Sequence, residues 1–113
     1  MTIDSASFRI DVLLSFQRGL WDLVTPTLRA VAVSPTYPLI EARFIYEALS
    51  GDERLIAAEA EAYVVADFSP PVDVRFEAVA LPPDQPRELL SGEEWVYRRR
   101  EDEPEVADRV RNV

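Results

Sequence analysis

Nine prolines, most of them clustered, cut this 113-residue chain into stretches of at most 31 residues. Proline fixes its own backbone, donates no hydrogen bond and drives the preceding residue out of the helical region. Thr25-Pro26, Ser34-Pro35-Thr36-Tyr37-Pro38, Ser69-Pro70-Pro71 and Pro82-Pro83-Asp84-Gln85-Pro86 therefore act as stops. Elements must begin and end between these stops, and the hydrophobic period of each stretch says which kind they are.

Residues 5–23 carry a helical period. At 100° per residue, Asp11, Ser15, Arg18 and Asp22 gather in one narrow polar stripe. Phe8, Val12, Leu13, Phe16, Leu20, Leu23 and Val24 fill most of the rest, with Ile10, Leu14 and Trp21 further round. A helix on the surface of a domain needs a narrower apolar face. This one is expected to be covered on more than one side, by its own chain or by another. Residues 27–33 read as a strand, and 39–47 alternate cleanly after the proline turn. Ile40, Ala42, Phe44 and Tyr46 share one face; Glu41, Arg43, Ile45 and Glu47 share the other.

Ser50-Gly51-Asp52-Glu53 opens a second helix with a capping box, in which serine and glutamate satisfy each other's backbone amides. It runs to about Asp67. Residues 72–81 alternate again, with Asp73, Arg75 and Glu77 opposite Val72, Val74, Phe76, Ala78 and Ala80. A single helical turn at 87–90 and a short strand at 95–100 follow. In that strand, alternation sets Trp95, Tyr97 and Arg99 on one face and Val96, Arg98 and Arg100 on the other, with Trp95 and Tyr97 directed to the core.

The order α-β-β-α-β-β implies an α+β, two-layer sandwich with two helices on one face of a mostly antiparallel four-stranded sheet. Both a circularly permuted ferredoxin-like sheet and a plain sequential sheet satisfy it. Residues 1–100 form one domain on this reading. Residues 101–113 are a charged C-terminal tail, either a short helix or a frayed end.

The chain has no histidine, cysteine or lysine, and only three glycines. That removes the commonest general base, the thiol nucleophile, the Schiff-base amine and soft metal ligands. No phosphate-cradling glycine loop, nucleophile elbow or calcium loop is present, so no cofactor, metal or catalytic residue is expected. Paired carboxylates could support a hydrolase, but the acids here fall on helix surfaces and loops without a groove between them. No secretory signal or membrane-spanning run is apparent. With no disulfides to protect, the expected location is the cytoplasm.

The net charge of −9 is localised. Residues 47–95 hold three arginines against twelve acids, and the flanking segments balance. Such a field disfavours nucleic acid and anionic membranes and favours a basic protein partner. Plain solubility is the simpler explanation of the same charge. Arg98-Arg99-Arg100 beside Trp95 and Tyr97 could grip RNA, but the acidic balance opposes it.

The segments 23–31 (LVTPTLRAV), 65–68 (VADF) and 94–99 (EWVYRR) resemble a family of small bacterial proteins with no assigned activity. The resemblance implies one intact small domain and no mechanism.

The leading expectation is therefore a non-enzymatic interaction module, in concrete form an antitoxin- or immunity-like inhibitor of a basic partner. Glu53, Glu59, Glu61 and Asp67 on the second helix are its candidate contacts. A second candidate surface is the outer sheet face, with Glu41, Arg43, Arg75, Glu77 and Arg98. That face is either simply solvated or a docking face. A homodimer binding a small ligand is the alternative, built on the sheet face or the over-apolar first helix.

Overall fold

Between the proline stops the chain forms α1 (Ser5–Gly19), β1 (Leu28–Thr36), β2 (Leu39–Tyr46), α2 (Gly51–Ala66), β3 (Asp73–Ala80) and β4 (Glu94–Arg98). The computed structural model describes residues 4–102. The sheet order is β3-β2-β1-β4. β1 pairs antiparallel with β2 and β4, while β2 and β3 run parallel. A parallel pair needs a crossover, and α2 supplies it. The α+β class and the element order are those expected. The strand order is neither of the two arrangements left open: it is the sequential sheet with β4 carried to the far side of β1.

Both helices cover one face. Phe8, Val12 and Phe16 of α1 and Ala57, Ala60 and Val64 of α2 pack onto Val31, Val33, Ile40, Ala42, Phe44 and Tyr46. Phe16 stacks on Phe76 at 5.3 Å between ring centroids, and Phe44 lies 5.2 Å from Phe76. The helices meet closely at Gly19, where a Cβ would stand 3.4 Å from a Val64 methyl. Ser50 and Glu53 form the expected capping box at the start of α2.

Four local expectations are corrected. The first helix ends at Gly19, not residue 23. Asp22 adopts a left-handed backbone, with φ of 65°, and the turn folds Leu20 and Leu23 inward. β1 continues through Pro35 to Thr36, leaving Tyr37-Pro38 as the hairpin loop. Pro35 faces Ile40 of β2 on one side and is tolerated because β4 pairs with β1 only from Ala30 to Val33, leaving its other side without a ladder partner. Residues 87–90 form no helical turn. Finally, a bulge in β4 breaks its alternation. Tyr97 lies opposite Val31 on the helix side, whereas Trp95 lies opposite Ala32 on the other. Trp95 thus sits on the outer sheet face, with the Arg98 guanidinium 5.3 Å from its ring centroid.

The outer sheet face is not simply solvated. β3 and β4 stand at opposite edges, three strand spacings or about 14 Å apart. The 81–93 connection crosses that face to join them, and Ala30, Ala32 and Ile45 beneath it are fully buried. Arginines hold it down. The Arg43 guanidinium makes a two-pronged pair with Glu93 at 2.7 Å and donates to the Glu88 carbonyl. Arg29, with no exposed surface, donates to the Leu81 and Pro82 carbonyls at 3.0 Å. Its remaining donors grip the two oxygens of Glu101, at 3.1 and 2.6 Å. Arg87 donates to the Arg29 and Arg99 carbonyls, and Arg99 bonds to Glu101 and to the Pro26 carbonyl.

Glu101, assigned by its charge to the tail, is thus the central anion of a buried cluster. The rest of that tail, from residue 103, lies outside the described residues. Burial works against the Glu101 charge, but the Arg29 hydrogen bond and the fields of Arg87 and Arg29 outweigh it and hold its carboxyl below the usual glutamate range.

Two predictions follow from this packing. Glu101→Gln leaves Arg29 buried without a counter-charge, and should cost about 3 kcal/mol of unfolding free energy by urea titration. Because the folded value lies below the ordinary 4.5, the stabilisation is complete above that pH and is lost as pH falls through the lowered value. The variant should therefore lose less stability on acidification than the wild type; equal acid sensitivity would contradict the assignment. Separately, the Tyr46 hydroxyl is buried without a hydrogen-bond partner among the described residues, and burial, then the charge of Glu53, pushes it up to about 12. Tyr46→Phe should leave stability unchanged or raise it by about 1 kcal/mol; a clear loss in thermal unfolding would reveal a bond to that hydroxyl.

Candidate functional site

The acids of the central segment divide into those with structural work and those without. Glu53 closes the α2 cap and accepts from Thr27; its Ser50 hydrogen bonds are the main reason its carboxyl is held low. Glu61 accepts the Phe76 amide at 3.0 Å, blunting the open edge of β3. Asp67 accepts from Ser15 at 2.6 Å and from Arg18 at 3.1 Å, tying the end of α2 to α1. The Ser15 bond does most to lower its carboxyl, and Arg18 adds to it. Of the four α2 acids proposed from sequence, Glu59 is exposed and makes no such bond among the described residues. Glu94, at the start of β4, pairs with Arg9 of α1 at 2.7 Å.

The charged sheet residues do come together. The parallel register sets Glu41 beside Arg75 and Arg43 beside Glu77. These four line a cavity of about 270 Å³ between β2, β3 and the connection, with Ser34, Leu90 and Glu93 completing it. Arg43 is committed to Glu93; their hydrogen bond raises the arginine's value and lowers the carboxyl's. Arg75 pairs with Asp73 on its own strand at 3.2 Å. Arg98 lies at the other edge, over Trp95, away from the cavity. Ala42 and Phe76 also border the cavity, but their side chains belong to the core on the other face. Leu90 is left as the one apolar side chain offered, which is little for a small-ligand site.

The helix layer offers a different surface. α1 has the excess of apolar surface expected, but the described chain does not wrap it: Ile10 and Leu14 remain about half exposed and Trp21 is 70% exposed. On α2, Leu55 is 70% and Tyr63 56% exposed. The helices are antiparallel neighbours. Asp67 reaches Ser15, Gly19 abuts Ala60 and Tyr63, and Thr27 reaches Glu53. The turn carrying Trp21 and Val24 therefore runs beside the first half of α2, bringing these side chains to one side of the molecule. Asp11, Asp22, Asp52 and Glu59 stand exposed among them. The sequence shows the excess on α1 and sets Tyr63 with Ile56, Ala60 and Val64 at helical spacing on α2, but Tyr63 stays exposed while Ala60 and Val64 are buried, and Leu55 carries no such signal; only helix pairing brings both beside α1.

Among the described residues, no group of three or more acids is placed to hold a metal ion, and no helix is long and apolar enough to cross a membrane. Arg99 of the basic run is bound to Glu101, Glu47 and the Pro26 carbonyl, so it is not offered to a phosphate backbone.

A search of curated proteins finds no match to the chain. A protein-family model, described as MafI2 immunity protein, matches residues 9–101. The match runs from the second turn of α1 through Glu101, taking in the whole sheet, α2 and the arginine-held connection. The match covers most of the chain, which therefore belongs to the MafI2 immunity protein family.

Proposed function

We propose that the protein is a non-enzymatic cytoplasmic inhibitor that silences a toxin by binding it. The observation that carries this reading is the immunity-family match over residues 9–101, which spans nearly all of the described fold. The chemistry agrees. A chain without histidine, cysteine or lysine has few means of modifying a toxin covalently, and the cavity on the outer sheet face has both of its arginines already engaged, Arg43 by Glu93 and Arg75 by Asp73. Inhibition by occupancy needs neither a nucleophile nor a cofactor, only a stable surface of the right shape and charge. The unbalanced acidity of residues 47–95 favours a basic toxin, speeding encounter and rejecting acidic partners.

The test is affinity capture with the full chain from lysate of its source cells at low and high salt. A single protein should be recovered that arrests growth when expressed alone and is harmless when the chain is co-expressed. Raising salt from 50 to 500 mM should weaken its binding by about tenfold or more, as expected where charge assists association. Recovery of only non-toxic proteins, or growth arrest unrelieved by the chain, would refute the reading.

A further inference from the structure

The helix layer carries a surface whose features the fold does not use. Burial of Ile10, Leu14, Trp21, Leu55 and Tyr63 would be expected if their side chains served only the core, yet all five are more than half exposed. Trp21 is the most telling. It sits on the turn closed by Asp22, whose φ of 65° is uncommon outside glycine. A tight turn could have been capped by a small residue; here it holds an indole out in solvent. Tryptophan is among the residues most enriched at the energetic centre of interfaces.

The surrounding charge selects the occupant. Asp11, Asp22, Asp52 and Glu59 are exposed around these apolar groups and make no ion pair among the described residues. Of the arginines near them, Arg18 is held by Asp67, and Arg54, next to Leu55, borders the α2–β3 side with Glu61, Phe76 and Ala78. An apolar centre with an acidic rim fits a surface of opposite design, basic at its rim with an apolar recess for the indole. Two helices of 15 and 16 residues are each about 23 Å long and together about 20 Å across, a flat area of about 460 Å² that supplies rather more than half of the roughly 800 Å² a standard interface buries on each partner.

The sheet side is the weaker alternative. Its cavity offers Leu90 as its apolar contact, and its arginines are engaged by Glu93 and Asp73. Resting on the immunity reading above, we infer that the outer face of α1 and α2, centred on Trp21 and Leu55, is the surface that docks a basic toxin.

The probe is the purified toxin recovered with the wild-type chain. Its affinity is measured for the wild type, for Trp21→Ala with Leu55→Ala, and for Arg75→Ala with Glu77→Ala, beside growth protection by each. All four replaced side chains are exposed, and unchanged melting temperatures check that the variants fold. The helix-face variant should lose at least about thirtyfold in affinity and fail to protect, as expected for an interface anchor. The sheet-face variant should match the wild type within about twofold. Asp11→Lys with Glu59→Lys should slow association by about tenfold at low salt and much less at high salt.

Loss of binding in the sheet-face variant with the helix-face variant unaffected would overturn the inference while leaving the immunity reading intact. So would sedimentation showing that the free chain is a dimer dissociated by Trp21→Ala, because a second copy would then occupy the face. A wild-type chain that protects against no recovered toxin removes the reading and this inference together.

Discussion

The buried guanidinium of Arg29 organises the side of the molecule that the helices leave open. A sheet with both helices on one face and its last two strands at opposite edges must send their connection across the bare face. That connection, residues 81–93, has no regular secondary structure, so its carbonyls need other donors. Arg29 supplies two of them and is neutralised by Glu101, and Arg43 repeats the arrangement with Glu88 and Glu93. A buried arginine is costly unless every donor is used and its charge is met. Here all three Arg29 nitrogens donate, in four hydrogen bonds, and Glu101 meets the charge, which lets a proline-rich segment act as the second cover of the sheet.

This use of charge explains why acidity alone is a poor guide to the binding surface. The central segment is strongly acidic, but many of its carboxylates cap α2, blunt the edge of β3, join the helices or pin the connection. The lowered values of Glu53, Asp67 and Glu93 reflect hydrogen bonds already made within the fold. Acids without such partners are the ones left to act at a distance. Those among the exposed apolar groups of the helix layer lie where a partner could bury both kinds of group at once.

Much of the architecture was legible in the sequence because local rules agreed with one another. The capping box fixed the start of α2, Pro70-Pro71 followed its end, and alternation placed Ile40, Ala42, Phe44 and Tyr46 in the core. What escaped was non-local. The β4 bulge that turns Trp95 outward is a property of its pairing with β1 and leaves no mark on the period of its own five residues. Nothing nearby in sequence marks Arg29 and Arg87 for burial, because carbonyls that they bind lie more than 50 residues away. Of the proposed contact residues, Glu41, Arg43, Arg75 and Glu77 do line one cavity, while Arg98 stands apart from it, and Glu53, Glu61 and Asp67 have partners within the fold. Helix pairing, which alternation and composition do not specify, is what gathers Trp21 with Leu55 and Tyr63.

The account comes down to which side of the sandwich meets the toxin. Backbone amide hydrogen exchange of the free chain and of the toxin-bound chain addresses this without altering a residue. The account predicts new protection in α1 from Ile10 onward, in the turn at Trp21 and in α2 around Leu55 to Tyr63, with residues 81–93 unchanged. New protection across residues 81–93 and β3, with both helices unchanged, would contradict it.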